Sequence, residues 1–144
     1  GSLLRQGLEG SEFVGGEIVK GVLFSGRFDP PHPGHIVSIL RLHAKYGRVV
    51  VPLLDYPDRQ WPASYCKQVF DECFEHLNGF VEVIINTTHF GVVTSDELKS
   101  YGCDLYASGN IAVIKHVESL GMKCIYVDRA FSYEAHLYPP PSGA

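Results

Sequence analysis

The chain alternates short apolar runs with segments of helical period, and this alternation constrains its fold more than any other feature. Val19 to Phe24 is apolar and stops at Ser25-Gly26. Gly34 to Tyr46 follows, with Ile36, Ile39, Leu40 and His43 at the i, i+3, i+4, i+7 spacing of one helix face. Gly47 then stands where a helix commonly ends. Arg48 to Leu54 holds Val49, Val50, Val51, Leu53 and Leu54, the composition of a strand buried on both faces. Ala63 to Leu77 returns to helical period through Cys66, Val69, Phe70, Cys73, Phe74 and Leu77, and Asn78-Gly79 closes it. Phe80 to Ile85 reads as a strand, and Thr94 to Tyr101 as a short helix capped by Thr94 or Ser95. Asp104 to Ala107 is a short strand. Asn110 to Leu120 is a helix through Ile111, Ile114, Val117 and Leu120, and Met122 to Val127 is the last strand.

The resulting order is β-α-β-α-β-α-β-α-β. Strands separated by helices pair in parallel through right-handed crossovers. The expected fold is therefore α/β: a single doubly wound, five-stranded parallel sheet, Rossmann-like, with helices on both faces. The 144 residues suit one compact domain, and the 45% hydrophobic content is enough for one core. Ligands of such sheets bind outside the carboxyl ends of the strands, where strand order reverses. The first strand usually lies at that point, which directs attention to the loop after Phe24.

The ends read differently. Residues 1–17 are Gly-rich and weakly patterned, a flexible lead or an arm left by cloning, and Gly1-Ser2 reads as a cloning remnant or a fragment boundary. The domain proper is expected over 18–137. Residues 138–144 form an irregular tail, because consecutive prolines forbid helix and ladder pairing.

Charge and cysteine usage narrow the function. A formal net charge of -4 without a basic stripe argues against a nucleic-acid partner. It leaves a nucleotide open, since a small anion needs only local donors. No apolar run approaches the roughly 20 residues of a membrane-spanning helix, and no secretory signal opens the chain, so no membrane partner and a cytoplasmic location are expected. Cys66, Cys73, Cys103 and Cys124 form no CxxC pair and no zinc-ligand cluster. They read as reduced core thiols, with Cys66 and Cys73 on one helix face, and no protein-built metal site is expected.

The loop after the first strand carries the chemistry. Gly26 lets backbone come close to a ligand. Pro30, Pro31 and Pro33 stiffen the turn, and Pro33-Gly34 starts a helix. His32 lies just before that helix and His35 in its first turn. A helix start offers free N–H groups and a partial positive charge, so the combination reads as an anion cradle.

The string Gly26-Arg27-Phe28-Asp29-Pro30-Pro31-His32-Pro33-Gly34-His35 resembles the G-x-F-D-P-x-H-x-G-H signature of the cytidylyltransferase-like nucleotidyltransferase superfamily. The resemblance extends over about Lys20 to Val127. It implies transfer of a nucleotidyl group from ATP or CTP to a phosphorylated small molecule, with release of pyrophosphate and Mg2+ as the cofactor bridging phosphates. It implies that His32 and His35 meet the triphosphate and that Ser25, Gly26, Arg27 and Phe28 wrap the nucleotide phosphates. Gly34 matches the glycine needed for close approach. Arg27 stands where many members have Thr or Ser, a variant similar to archaeal-type nicotinamide-mononucleotide adenylyltransferases. Ser108, Gly109 and Asn110, after the fourth strand, match a turn that touches base or ribose. Arg59 in the loop after the second strand is the candidate catalytic cation, with Lys67 as the alternative and Trp61 as a surface for acceptor or base.

One segment departs from the pattern. Members usually carry a Ser/Thr-rich segment at a C-terminal helix start that holds the β- and γ-phosphates. The equivalent here is Asp128 to His136, where Arg129 and Ser132 read as remnants of that nucleotide-binding segment and the Ser/Thr pair is missing. The departure favours a second reading, a nucleotide-binding module of the same fold that is weak or inactive in catalysis. Homodimers are common among small domains of this sort, and one is among the assemblies the sequence allows.

Overall fold

A computed structural model of the chain describes residues 13–14, 17–86 and 94–127. The apolar runs form the strands β3 (Val22–Phe24), β4 (Val49–Leu54), β5 (Val81–Asn86), β6 (Leu105–Ser108) and β7 (Cys124–Tyr126). Between them lie α1 (Pro33–Tyr46), α2 (Ala63–Cys73), α3 (Ser95–Ser100) and α4 (Ile111–Ser119). All neighbours in this sheet pair in parallel, in the order β5-β4-β3-β6-β7. The chain winds outward from β3 to β5, returns to β6 on the other side of β3, and ends at β7. Strand order thus reverses between β3 and β6, and the expected doubly wound architecture is the one observed.

The period-2 alternation of strand side chains divides the core in two. On one face Val22, Phe24, Val49, Val51 and Leu53 pack with Ile39 and Leu42 of α1 and Cys66 and Phe70 of α2. On the other, Leu23, Val50 and Tyr106 pack with Leu98 of α3 and Val117 of α4. Helices therefore cover both faces. The β3–β4 register runs from Val22↔Val49 to Leu23↔Val50 and resumes only as a Gly26–Leu53 bridge. Pro52, which has no N–H for a ladder, falls in that gap.

Several details differ from the sequence reading. Ahead of the sheet, β1 (Phe13–Val14) and β2 (Glu17–Ile18) pair as an antiparallel ribbon within the stretch read as a loose lead. The buried line of α1 runs through Ile39, Leu42 and Tyr46, and Leu40 lies outside it, because the burying stripe follows the 3-4 spacing from Ile39. The segment read as one helix to Leu77 ends at Cys73 and continues as a short 3-10 turn, Glu75–Leu77. Cys66 and Cys73 do not share a buried face. The stripe of α2 drifts from Ala63 and Cys66 through Phe70 to Phe74, which leaves Cys73 exposed. All four cysteines are free thiols. Among the described residues no helix is long and apolar enough to cross a membrane.

Candidate functional site

The loop from Ser25 to His32 leaves the carboxyl end of β3 and delivers the chain to α1. It lies beside the carboxyl end of β6, because Phe24 pairs with Ala107 and Ser25 donates its N–H to the Ala107 carbonyl at 3.2 Å. The hydroxyls of Ser25 and Tyr106 are hydrogen-bonded at 2.6 Å. The fold thus brings Ser25 and Gly26 next to Ser108, at the reversal point where an α/β sheet is expected to hold a ligand.

His32 and His35 cap α1 reciprocally. Nδ1 of His32 accepts the Gly34 N–H at 3.1 Å, and Nδ1 of His35 accepts the His32 N–H at 3.2 Å. This is a capping box built from two imidazoles instead of a hydroxyl and a carboxylate. The rings lie 3.7 Å apart and tilt by 31°. Because both Nδ1 atoms accept, Nε2 carries the hydrogen in each neutral ring.

The cap also corrects the picture of the helix start. Pro33 has no N–H, Gly34 donates to His32 Nδ1, and His35 and Ile36 both donate to the His32 carbonyl. The first-turn amides are therefore engaged within the turn. The features of this helix start that bear on an anion are the positive end of its dipole and the two imidazole rings.

Phe28 anchors the loop. Its φ of 50° lies in the left-handed region, which is unfavourable for a bulky side chain. Burial to 1% exposure and edge-on contacts with Phe24, Phe70 and His35 hold it there. The same ring bears on Gly26. A Cβ at Gly26 would lie 3.0 Å from the Phe28 ring, tighter than an ordinary contact, so the packing here favours glycine.

Arg59 occupies a different position from the one expected of a phosphate-binding cation. Its Nη1 donates to the carbonyls of Arg27 at 2.7 Å and Leu54 at 3.0 Å. Its Nη2 donates to the Phe28 carbonyl at 2.8 Å and to Cys66 Sγ at 3.3 Å, and Nε donates to the Trp61 carbonyl at 2.9 Å. A guanidinium has five N–H groups, and each has an acceptor inside the protein. In this structure Arg59 braces the loop, with its guanidinium committed to these protein acceptors. Lys67 pairs with Asp71 along α2 at 2.6 Å.

Asp29 completes the brace from the other side, a role that sequence reasoning missed. Its carboxylate accepts the N–H groups of Trp61 at 2.7 Å and Gln60 at 2.9 Å. Burial alone would raise its pKa. The two amides, together with Arg59 and Arg27, more than offset this and hold the carboxyl below its ordinary value. The signal lay in the motif, where a turn carboxylate precedes proline, but its amide partners are some thirty residues on.

At the rim, Arg27 is about half exposed and lies 3.4 Å from the Asp58 carboxylate, with its guanidinium over the Tyr56 ring. Trp61 and Tyr65 stack with ring centroids 5.3 Å apart, and both are exposed. Across the reversal point, Ser108 is buried and its hydroxyl accepts the Asn110 N–H at 3.1 Å. Asn110 caps α4 by accepting the Ala112 N–H at 3.0 Å, with Gly109 between them. Arg129 and Ser132 lie outside the described residues. Among the described residues no group of three or more His, Cys, Asp or Glu side chains is arranged to hold a metal ion.

No protein-family model and no curated protein matches this sequence. Solved structures do. The chain is similar in fold to the lipopolysaccharide core biosynthesis protein from Thermoplasma volcanium GSS1, with a TM-score of 0.55 and 14% identity over 76% of this chain and 97% of that one. It is also similar to a protein of the universal stress protein family from Burkholderia pseudomallei, with a TM-score of 0.50 and 11% identity over 75% of this chain and 95% of that one. At these identities the likeness is one of fold, and it agrees with the Rossmann-like α/β sheet described above.

Proposed function

We propose that this protein is a nucleotidyltransferase that moves a nucleotidyl group from ATP or CTP to a phosphorylated small molecule. The observation that carries this reading is the mutually capped pair His32 and His35 at the start of α1, beside the strand-order reversal. The similarity in fold to a biosynthesis protein of the lipopolysaccharide core is compatible with it.

An acceptor oxygen attacks the α-phosphorus in line, a new P–O bond forms, and the bond to pyrophosphate breaks. No protein nucleophile is needed, so the chain's contribution is positioning and stabilisation of charge. His32 and His35 donate Nε2–H to phosphate oxygens, the dipole of α1 favours the same anion, and Arg27 supplies a half-exposed cation at the rim. Ser108, Gly109 and Asn110 border the nucleoside side of the crevice. Mg2+ bound with the triphosphate would supply neutralisation of phosphate charge, and among the described residues no cluster of three ligating side chains would hold it. The nearest motif carboxylate, Asp29, is already committed to two backbone amides.

The altered segment 128–136 favours a second reading, a module that binds nucleotide without turning it over. One assay separates the two. The chain is incubated with ATP or CTP, Mg2+ and a panel of phosphorylated acceptors, and pyrophosphate is measured. Release above background with at least one acceptor supports transfer. Saturable nucleotide binding without release across the panel supports the second reading.

A further inference from the structure

We infer that Arg59 and Asp29 are positioning residues that lace the histidine loop and the Trp61 segment into one unit, an inference that takes nucleotidyl transfer as the reaction being positioned. The lacing runs in both directions. Arg59 reaches from the second segment to the carbonyls of Arg27 and Phe28, at 2.7 and 2.8 Å. Asp29 reaches from the first segment to the amides of Gln60 and Trp61, at 2.9 and 2.7 Å. Neither segment belongs to a helix or strand, so these four bonds do what a ladder does elsewhere in the sheet.

The position of His35 depends on this arrangement. Phe28 adopts a left-handed backbone that a phenylalanine does not choose unaided. Its carbonyl is fixed by Arg59, and its ring meets His35 edge-on at 4.8 Å between centroids. His35 in turn accepts the N–H of His32. The path from Arg59 to the imidazole pair therefore passes through one strained residue and contains no exposed flexible link. On the far side, Trp61 receives Asp29 at its N–H and Arg59 at its carbonyl, so the exposed Trp61–Tyr65 stack is set by the same bonds.

The planar five-donor fork is what the geometry uses. An ammonium has three donors at a single point and cannot reach carbonyls on three sides of the guanidinium. A cation acting by charge on a phosphate would tolerate lysine better than glutamine. A positioning fork would tolerate neither.

The test uses the full chain with Arg59→Lys, Arg59→Gln and Asp29→Asn. Backbone hydrogen exchange is followed in 25–36 and 59–66, and pyrophosphate release is measured for the nucleotide that the parent uses, well below the melting temperature of each variant. Every substitution is expected to speed exchange in both segments together. Release is expected to fall on the order of 10²-fold, in kcat more than in KM, with lysine no better than glutamine. Asp29→Asn serves where an Arg59 variant does not fold, because it removes one acceptor and leaves the guanidinium in place. Faster exchange confined to the substituted segment overturns the inference, as does near-parental release by Arg59→Lys beside a large loss in Arg59→Gln. If the parent chain releases no pyrophosphate and binds no nucleotide, the transfer reading fails, and the exchange data alone still uphold or overturn the lacing.

Discussion

His32 and His35 each accept a backbone amide through Nδ1, so the pair that marks the site is also the cap that starts α1. Under the proposed function, stability and phosphate binding would therefore depend on different atoms of the same rings. An asparagine at the cap position and a glutamine three residues on reproduce a capping box without any imidazole.

His32→Ala should cost about 1 kcal/mol, the typical loss for an N-cap side chain, while His32→Asn should stay within a few tenths of the parent. Urea unfolding of the two variants decides this. Equal losses in both would mean that the cap contributes nothing.

Gly26→Ala should displace the Phe28 ring, because the added methyl meets it at 3.0 Å. Overpacking of this kind costs about 1–3 kcal/mol. The same displacement should move His35, which the ring contacts, and a shift of the His35 imidazole resonances in NMR spectra reports it. An unchanged melting temperature with unchanged imidazole resonances would show that the loop has room to spare.

Asp29 should give the protein part of its acid sensitivity. Its carboxyl is held below the ordinary value of 3.8 in the folded chain, so the charged form contributes stability that is fully present above that value. The contribution disappears as pH falls from the ordinary value through the lowered folded one. The urea midpoint of the parent should therefore drop more steeply below about pH 4 than that of Asp29→Asn. Parallel acid limbs would contradict this assignment.

The cysteines should differ sharply in reactivity. Burial pushes the Cys103 thiol up to about 11, and burial also raises Cys66 although Arg59 lies against its sulfur. Cys73 is exposed. Iodoacetamide at pH 8, read by mass spectrometry, should label Cys73 first and Cys103 only on unfolding. Early labelling of Cys103 would mean that its face of the sheet opens readily.

Much of the fold was legible in the residues because the apolar period changes sharply at each junction. Val49 to Leu54 is nearly all apolar, and α4 follows its cap Asn110 directly, so these elements are marked locally. The ribbon β1–β2 was not, since strands two residues long carry too little pattern to stand out from a Gly-rich stretch. The histidine loop was legible because its residue types are unusual and its place after the first strand is physically meaningful. The roles of Arg59 and Asp29 were not. Their partners lie some thirty residues away, and only the closure of β3 against β4 brings the two loops within hydrogen-bonding distance. Arginine in a loop after a strand reads equally well as a ligand contact, and only the account of its donors separates the two.

The most direct test of the central claim is a calorimetric titration of ATP and CTP, each with Mg2+, into the parent chain and into the double variant His32→Asn/His35→Gln. The variant keeps a capping box and removes both Nε2 donors. Saturable binding of at least one nucleotide by the parent is expected, with a loss on the order of 10²-fold in the variant at an unchanged melting temperature. Equal affinity in the two proteins, or no binding by the parent, would contradict the claim that this loop holds a nucleoside triphosphate.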